Sequence, residues 1–336
     1  MYKNDVKYMS AALDEALKAS PEVYPNPKVG AVIVHDDKII SWGHTQDFGG
    51  KHAEVMAIEN MPSTLKGCTL YVTLEPCTHK GKTDACIDLI TPDIFKRVVI
   101  ANLDPNPIAK GGVKKLIKDG IIVETGICSK NAKKINRRFF TFFEKRRPYI
   151  ILKIASTLNG VIAGKDGNSE WITCQESRTS GHKARSCCDA IMVGRKTIEF
   201  DNPSLTSHGL GKNPRIIIID PKNKLDHKAN VFKSDPIVFS DILNSKKPIE
   251  NVSIILKKLY DLSIQSLYVE GGGQTISYFI DANLYDELQI YYAPKMIGEG
   301  KPLYNGMKKL KDNLNLTLDK IEQFDNDIKV TYLKGY

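Results

Sequence analysis

Long apolar runs are missing from this 336-residue sequence. None approaches the roughly 20 apolar residues that a membrane-spanning helix needs, so we expect no membrane partner. The first twenty residues include Asp5, Asp14 and Glu15, which interrupt the apolar core that a secretion signal requires. We therefore expect a protein that stays in the cytoplasm.

Cysteine is scarce and odd in number, with seven residues in the chain. An odd count without an export signal argues against a disulfide framework, because such frameworks belong mainly to secreted proteins. In a reducing compartment, suitably spaced cysteines more often bind a metal, and the others pack as small apolar residues. We interpret Cys68 and Cys128, which lie in strand-like contexts, as core residues.

The net charge of +9 is unevenly distributed. The segment from Lys130 to Arg147 contains eight basic residues and a single acid, Glu144. We favour a solvated helix face followed by a basic linker. A nucleic-acid footprint is the weaker alternative, because the segment has few aromatic side chains interleaved for base stacking. Attraction of a small phosphorylated substrate is a third interpretation.

Length and patterning predict two domains. A chain of 336 residues is long enough for two cores, and helix-like and strand-like segments alternate through both halves, which is typical of layered α/β domains. The run Glu144-Lys145-Arg146-Arg147 followed by Pro148 marks the boundary, because proline disfavours helix at the preceding residue. We therefore predict domains at 1–147 and 148–336.

The predicted elements follow from apolar periodicity and turn residues. In the first domain we predict helices at 5–19, 52–60, 84–90, 113–118 and 131–145, and strands at 29–34, 38–42, 69–74, 97–101 and 121–124. In the second we predict strands at 149–154, 190–193, 215–219, 237–239 and 267–269. The stretch 236–262 carries no functional signal.

Two short motifs in the first half form a metal-site pattern. His52-Ala53-Glu54 opens a predicted helix, and Glu75-Pro76-Cys77 is followed by Cys86. One imidazole and two thiolates suit zinc and leave its fourth position to water, whose pKa zinc lowers toward ~7. This order is that of zinc-dependent nucleobase deaminases, in which the glutamate is not a ligand. Each motif alone is weak, but together they predict His52, Cys77 and Cys86 as zinc ligands and Glu54 as the proton carrier.

The second half lacks a Gly-x-Gly-x-x-Gly fingerprint. It has instead a predicted strand, then Glu270-Gly271-Gly272-Gly273-Gln274-Thr275, then a helix. Glycines there would let backbone N–H groups approach a phosphate, although a tight structural turn explains such a run equally well.

Longer motifs indicate a family. They are PNPKVGAVIV from Pro25, HAEV from His52, TLEPCTH from Thr73, DPNP from Asp104, WIT from Trp171, DNPSLT from Asp201 and VEGG from Val269. In these motifs the chain resembles the bifunctional deaminase–reductases of riboflavin biosynthesis over nearly its whole length. The resemblance implies a cytidine-deaminase-like three-layer α/β/α domain followed by a dihydrofolate-reductase-like α/β domain.

The resemblance also implies two reactions. The first domain would deaminate 2,5-diamino-6-(5-phosphoribosylamino)pyrimidin-4(3H)-one hydrolytically with Zn²⁺. The second would use NADPH to reduce the ribosyl side chain to ribityl, giving 5-amino-6-(5-phosphoribitylamino)uracil. The implied partner is this small phosphorylated pyrimidine. We expect no nucleic-acid partner, and we expect a homo-oligomer.

The resemblance also implies functional residues at the positions of this sequence that match the family's motifs. The deaminase substrate pocket would include Asn26, His44, His79, Lys82 and Asn106, two of them in the eight-residue segment between Cys77 and Cys86. The cofactor would contact Ala155, Trp171, Thr197, Asp201, Gly272, Gly273, Gln274 and Thr275. The ribosyl phosphate and pyrimidine would contact Ser169, Arg185, Leu205, His208 and Glu270, with Arg185 as a bidentate phosphate partner; a surface arginine on a helix is the plainer interpretation.

Two positions depart from the family pattern. Asn159 stands where the family commonly has aspartate, and His208 where it often has arginine. A neutral histidine would bind phosphate less strongly, which bears on reductase efficiency. Two rival functions remain open at this point: a deaminase of tRNA bases that uses 130–147, and a second domain that binds nucleotide without catalysis.

Overall fold

The computed structural model describes residues 4–80, 84–167, 169, 171–309 and 311–335. The chain divides into two compact units, Met1–Lys145 and Arg146–Tyr336. Across the described part of the chain, no helix combines the length and apolarity that crossing a membrane requires.

The first unit alternates helices and strands. Its elements are α1 Asp5–Lys18, a 3₁₀ turn Pro21–Val23, β1 Gly30–His35, β2 Lys38–His44, α2 Ala53–Glu59, β3 Cys68–Val72, a 3₁₀ helix Cys86–Leu89, β4 Phe95–Ile100, α3 Gly112–Lys118, β5 Ile122–Thr125, α4 Ser129–Ile135 and α5 Arg137–Lys145. The sheet order is β2-β1-β3-β4-β5. Strand β1 is antiparallel to β2 and β3, whereas β3, β4 and β5 run parallel.

Helices cover both faces of this sheet. Ala31 and Ile33 of β1 belong to the core cluster that contains residues of α2, α3 and α5. The alternate residues Val32 and Val34 belong to a second cluster, with residues of α1 and α4. Because side chains alternate across a strand, the two clusters lie on opposite faces. The predicted three-layer α/β/α arrangement is therefore confirmed.

The long helix predicted at 131–145 is wrong in one respect, because it is two helices that meet at Asn136. The Asn136 side chain accepts a hydrogen bond from the Lys28 backbone N–H and donates one to the Lys28 carbonyl, each at 2.8 Å. This pairing competes with the helical backbone bonds, as asparagine side chains often do. The strand-like context predicted for Cys128 is also wrong, since Cys128 caps the start of α4 with a φ of 55°.

The second unit is built on a larger sheet. Its elements are β6 Tyr149–Thr157, β7 Val161–Gly164, α6 Gln175–Ser186, β8 Ala190–Gly194, α7 Arg195–Asp201, β9 Arg215–Ile219, a 3₁₀ helix Asn230–Ser234, β10 Ile237–Phe239, α8 Pro248–Asp261, β11 Ser266–Val269, α9 Gly273–Asp281, β12 Glu287–Ala293, β13 Gly300–Pro302, β14 Leu316–Phe324 and β15 Asp327–Lys334. The main sheet has the order β10-β9-β8-β11-β6-β12-β15-β14, and β13 pairs separately with β7.

The main sheet is parallel from β10 to β12, and β15 and β14 are antiparallel additions at one edge. Ala190 and Met192 of β8 face one core cluster, and Ile191 and Val193 face another. The parallel strands are therefore buried on both faces, as parallel sheets usually are. In open parallel sheets ligands bind beyond the carboxyl ends of the strands, and a cavity of about 700 Å³ lies at that edge.

Candidate active sites

A histidine and two cysteines converge in the first unit. His52 Nδ1 lies 3.1 Å from the Sγ of Cys86 and 3.6 Å from the Sγ of Cys77. The three ligand atoms lie within 4.8 Å of one another. Tetrahedral zinc places such donor atoms about 3.5–3.8 Å apart, so the pair at 3.6 Å matches and the pair at 3.1 Å is somewhat closer than the bound ion would hold it. One imidazole and two thiolates that converge in this way are a donor set that zinc prefers.

Local structure presents these ligands to one point. His52 is the residue before α2, and Cys86 begins the 3₁₀ helix. The turn that carries Cys77 is fixed by the buried carboxylate of Glu75, which accepts backbone N–H groups of Asp104 at 3.0 Å, Gly111 at 3.1 Å and Val113 at 2.9 Å. Glu75 therefore ties the Pro-Cys turn to two other segments of the unit.

Glu54 lies beside this cluster in a cavity of about 240 Å³. The side chain is buried, and burial raises the pKa of its carboxyl to about 7. The contact with Cys86 lowers the pKa of the Cys77 thiol, and the contact with Cys77 raises the pKa of His52. A carboxyl that titrates near neutrality can accept and return a proton.

Three of the five predicted deaminase substrate residues line the cavity. Asn26, His79 and Asn106 line the 240 Å³ cavity, and His79 has a buried Nδ1 atom with no hydrogen-bond partner among the described residues. His44 is absent from the lining, since its Nδ1 lies 3.4 Å from Glu15 Oε2 of α1. Lys82 lies outside the described residues.

Other residues of this cavity were not predicted. Thr45, Phe48, Asp104 and Phe139 also line it. Asp104 belongs to the DPNP motif, which was the signal available in the sequence. Its carboxylate accepts the Asn106 backbone N–H at 2.8 Å, and burial raises its pKa to about 6.

A cavity of about 700 Å³ occupies the second unit. It brings together most of the residues predicted for the reductase: Ala155, Ser169, Trp171, Arg185, Thr197, Asp201, Leu205, Glu270, Gly272, Gly273, Gln274 and Thr275. These residues come from segments that follow several strands of one parallel sheet. Residues from the stretch 236–262, which carried no functional signal, also contribute, including Asn251 and Val252 of α8.

The glycine run forms a cradle at the start of α9. A Cβ added to Gly194 would lie 2.9 Å from Thr275 Oγ1, and one added to Gly271 would lie 2.5 Å from Thr275 Cβ. Gly272 precedes α9 and has open space where its side chain would be. Free backbone N–H groups at a helix start favour phosphate, so this geometry fits the pyrophosphate of a dinucleotide.

Arg185, which we predicted as a bidentate phosphate partner, is paired inside the second unit. Its guanidinium donates to Glu270 at 2.6 and 2.9 Å and to the Thr206 carbonyl at 2.9 Å. Lys153 Nζ lies 3.7 Å from the same carboxylate. Burial alone would raise the pKa of Glu270, but the charges of Lys153 and Arg185 hold it at about 2. Glu270 is therefore an anion inside the cavity, and Arg185 is already paired with it.

The two departures from the family pattern lie outside the cavity lining. His208 stacks on His182 with ring centroids 4.1 Å apart. Burial and the charge of Arg185 lower the pKa of His182 to about 4. Asn159 donates its amide to the Ile297 carbonyl at 2.7 Å, a bond that an aspartate could not make.

The basic segment makes local contacts. Lys133 pairs with Glu144 at 2.6 Å and lies over the Phe140 ring. Arg147, which belongs to the second unit, donates to both carboxylate oxygens of Asp286, at 2.5 and 2.8 Å. The side chains of Lys133 and Arg147 are therefore both paired with a carboxylate of their own unit.

Comparison with known proteins gives consistent matches. A family model described as the RibD C-terminal domain matches residues 148–330, and one for the cytidine and deoxycytidylate deaminase zinc-binding region matches residues 2–102. Riboflavin biosynthesis protein RibD of Aquifex aeolicus is 40% identical over 352 residues, covering 99% of each chain. The deaminase/reductase structure from Thermotoga maritima is 37% identical with a TM-score of 0.82 over 98% of each chain. Acinetobacter baumannii RibD is 30% identical with a TM-score of 0.84 over 99% of each chain.

Proposed function

Because this chain belongs to the RibD family of bifunctional riboflavin-biosynthesis enzymes, we propose that its two units catalyse consecutive steps on one pyrimidine. The first step replaces the 2-amino group of 2,5-diamino-6-(5-phosphoribosylamino)pyrimidin-4(3H)-one with oxygen. The second reduces the ribosyl side chain with NADPH. We assign these steps to 1–147 and 148–336. The observation that carries the proposal is the cluster of His52, Cys77 and Cys86 beside the buried Glu54.

In the deaminase step, water adds its oxygen to ring carbon C2 and the C–N bond breaks, so that ammonia leaves. His52, Cys77 and Cys86 would hold zinc, which supplies a Lewis acid that makes water ionise near neutral pH. Glu54 takes a proton from the water and delivers it to the departing amine. Its raised pKa supports this role, since a carboxyl poised near 7 can act in both directions. Asn26, His79 and Asn106 surround the pyrimidine, and Lys82 and His44 stay predicted substrate contacts.

In the reductase step, hydride is transferred to C1 of the ribosyl group, the ring C–O bond breaks, and the released oxygen takes a proton. NADPH supplies the hydride when bound. Gly272, Gly273, Gln274 and Thr275 hold its phosphates, and Ala155, Trp171, Thr197 and Asp201 contact the rest of the cofactor. The substrate contacts that we propose are Ser169, Arg185, Leu205, His208 and Glu270. Arg185 also positions Glu270, and His208 stacks on His182.

The compartment and partners belong to the same proposal. The seven cysteines form no disulfide among the described residues, which suits the reducing cytoplasm. The engaged side chains of Lys133 and Arg147 favour a solvated helix face and linker over a nucleic-acid footprint. Deamination of RNA that weakens steeply with salt would favour the footprint instead.

We expect a homo-oligomer that pairs through an exposed sheet edge. Strand β14 has nine residues and forms the edge of the main sheet. Leu318 and Ile321 on it are 51% and 60% exposed. Long exposed edges tend to pair with another strand, here the same edge of a second copy, and the charges of Asp319, Lys320 and Glu322 oppose that pairing. Light scattering of the wild type and of Ile321→Lys tests this, and a monomeric wild type would contradict it.

The decisive experiment supplies the diaminopyrimidinone to the zinc-loaded protein and follows ammonia and NADPH together. Wild type should release ammonia and then consume NADPH, whereas Glu54→Gln should do neither from this substrate. Glu54→Gln should still consume NADPH when the deaminated intermediate is supplied. Ammonia release without NADPH oxidation would leave the second unit as a non-catalytic nucleotide-binding domain. Absence of both signals would refute the substrate assignment.

A further inference from the structure

A third cavity, of about 470 Å³, lies at the opposite end of the parallel strands from the reductase cavity. Of its lining residues, Asp189 directly precedes β8, Arg215 begins β9 and Ile264 lies two residues before β11. These are the amino ends of three parallel strands, whereas the 700 Å³ cavity lies beyond their carboxyl ends. A volume between about 300 and 1,000 Å³ is typical of sites for small molecules. The steps proposed above make no use of this cavity.

The wall of this cavity carries positive charge. Lys212 and Arg215 are exposed and line it, and neither side chain forms an ion pair with a described residue. The one acid in the described lining is Asp189, whose Oδ2 accepts the backbone N–H groups of Gln265 and Ser266 at 2.8 and 2.9 Å. Two cations without a carboxylate partner at a cavity wall attract an anion.

The other donors of the wall suit phosphate. Ser234 and Ser263 add hydroxyl groups to the ammonium of Lys212 and the guanidinium of Arg215. Phosphate oxygens accept charge-assisted hydrogen bonds from both kinds of cation, and arginine can bind two of them at once. The volume leaves space for the carbon skeleton that carries the phosphate.

The two cavities of the second unit share part of their wall. Leu205 lines both, because the connection 202–214 runs from the end of α7 to the start of β9. Leu205 and His208 in this connection have φ values of 54° and 53°. Left-handed backbone is unfavourable for a bulky side chain such as leucine, so surrounding contacts must hold it in place.

Those contacts connect one cavity to the other. Asn213, which lines the 470 Å³ cavity, accepts the backbone N–H of Ser207 on its Oδ1 at 2.9 Å. The neighbouring Thr206 carbonyl accepts a hydrogen bond from Arg185 at 2.9 Å, and Arg185 donates to Glu270 inside the 700 Å³ cavity. A ligand that fixes Asn213 therefore fixes the segment that positions the Arg185–Glu270 pair.

We propose that the 470 Å³ cavity is a regulatory site that binds a small phosphorylated molecule through Lys212 and Arg215. Binding there orders the segment 205–208 and so raises the affinity of the reductase cavity for its substrate, because less of the ordering remains to be done when the substrate binds. The binding site stands without the proposed reductase function, whereas its effect on reduction rests on that function.

Calorimetric titration of the full-length protein with ribose 5-phosphate tests the site. NADP⁺ and the reduced product are added so that the 700 Å³ cavity is occupied. The single substitutions Lys212→Gln and Arg215→Gln should each weaken probe binding about tenfold, as expected for the loss of one charge-assisted contact, and ribose without phosphate should not bind. Lys257→Gln is the matched control and should bind like the wild type, since Lys257 is an exposed lysine of α8 outside the lining of both cavities.

NADPH oxidation with the deaminated intermediate tests the regulation. The readout is the ratio of KM with and without the probe, because competition at the substrate site affects wild type and variants alike. This ratio should be about fivefold smaller in the wild type than in the Lys212→Gln/Arg215→Gln double variant, the lower end of typical couplings between sites. Asn213→Ala should still bind the probe but should lose the effect on KM, since its contact with Ser207 is gone.

Other outcomes overturn the proposal in distinct ways. Equal probe binding by wild type and the double variant would place the probe elsewhere, as in the deaminase cavity, and refute the site. Binding that depends on Lys212 and Arg215 but leaves the KM ratios equal would refute the regulation. Such binding in a protein that never oxidises NADPH would refute the reductase function and leave the phosphate site intact.

Discussion

Substitution of Glu75 by glutamine should destabilise the first unit and loosen its zinc site together. One carboxylate oxygen accepts the N–H groups of Gly111 and Val113, and the other accepts that of Asp104. In the glutamine variant the oxygen can keep the first two bonds, but its NH₂ group then faces the Asp104 N–H. One bond to a charged acceptor is lost and a buried donor is left unpaired, which costs on the order of 3 kcal/mol.

Denaturant unfolding of the zinc-free protein measures this loss, and bound zinc is counted separately by atomic absorption. A loss of that size lowers the folding equilibrium constant by roughly two orders of magnitude. Zinc affinity should fall as well, because the turn that carries Cys77 loses an anchor. Glu59→Gln is the control, since Glu59 forms an exposed pair with Lys51 that contributes at most about 1 kcal/mol. If Glu75→Gln changed the unfolding free energy no more than Glu59→Gln and kept its zinc, the anchoring role would be refuted.

Three further predictions follow from other contacts. Removing zinc by Cys86→Ser should abolish ammonia release but leave NADPH oxidation of the deaminated intermediate intact, and loss of both in a folded protein would contradict separate sites. Asn136→Ala should cost about 2 kcal/mol by removing two bonds to the Lys28 backbone, measured by denaturant unfolding; a neutral result would show that the helix break has another cause. Burial and the charge of Arg185 lower the pKa of His182 from 6.5 to about 4, so His182 stays neutral in the folded protein above that pH. Between pH 4 and 6.5 the unfolded chain therefore binds more protons than the folded one. The free energy of unfolding should rise with pH across this range. His182→Gln should flatten that slope in unfolding curves, and an unchanged slope would assign it to other groups.

The zinc cluster could be predicted from the sequence because its ligands lie in short motifs of recognisable residue types. His52, Cys77 and Cys86 fall within 35 residues, and the residue types alone restrict the metal. Glu54 could be predicted in the same way, because it lies two residues after His52 in the same motif. Sequence could not supply Glu75 as the anchor of the turn, because its three partners lie 29 to 38 residues away and are backbone atoms, which carry no residue signature.

His44 shows how the alternation of side chains along a strand limits such predictions. It is the last residue of β2 and pairs in register with Gly30. Its side chain meets Glu15 of α1, whereas the next residue, Thr45, lines the cavity. Adjacent residues in extended backbone point to opposite sides, so a motif can identify the segment and still miss by one position.

The reductase cavity was harder to predict because distant parts of the chain build it. The glycine run after β11 has a local signal, but the pairing of Arg185 with Glu270 joins residues 85 positions apart. That pairing changes what the cavity presents to its ligands. A free arginine would attract a substrate phosphate, but a buried Arg185–Glu270 pair flanked by Lys153 offers a fixed carboxylate that accepts hydroxyl donors. The glycine cradle at the start of α9 is then a second element of the cavity that is suited to phosphate.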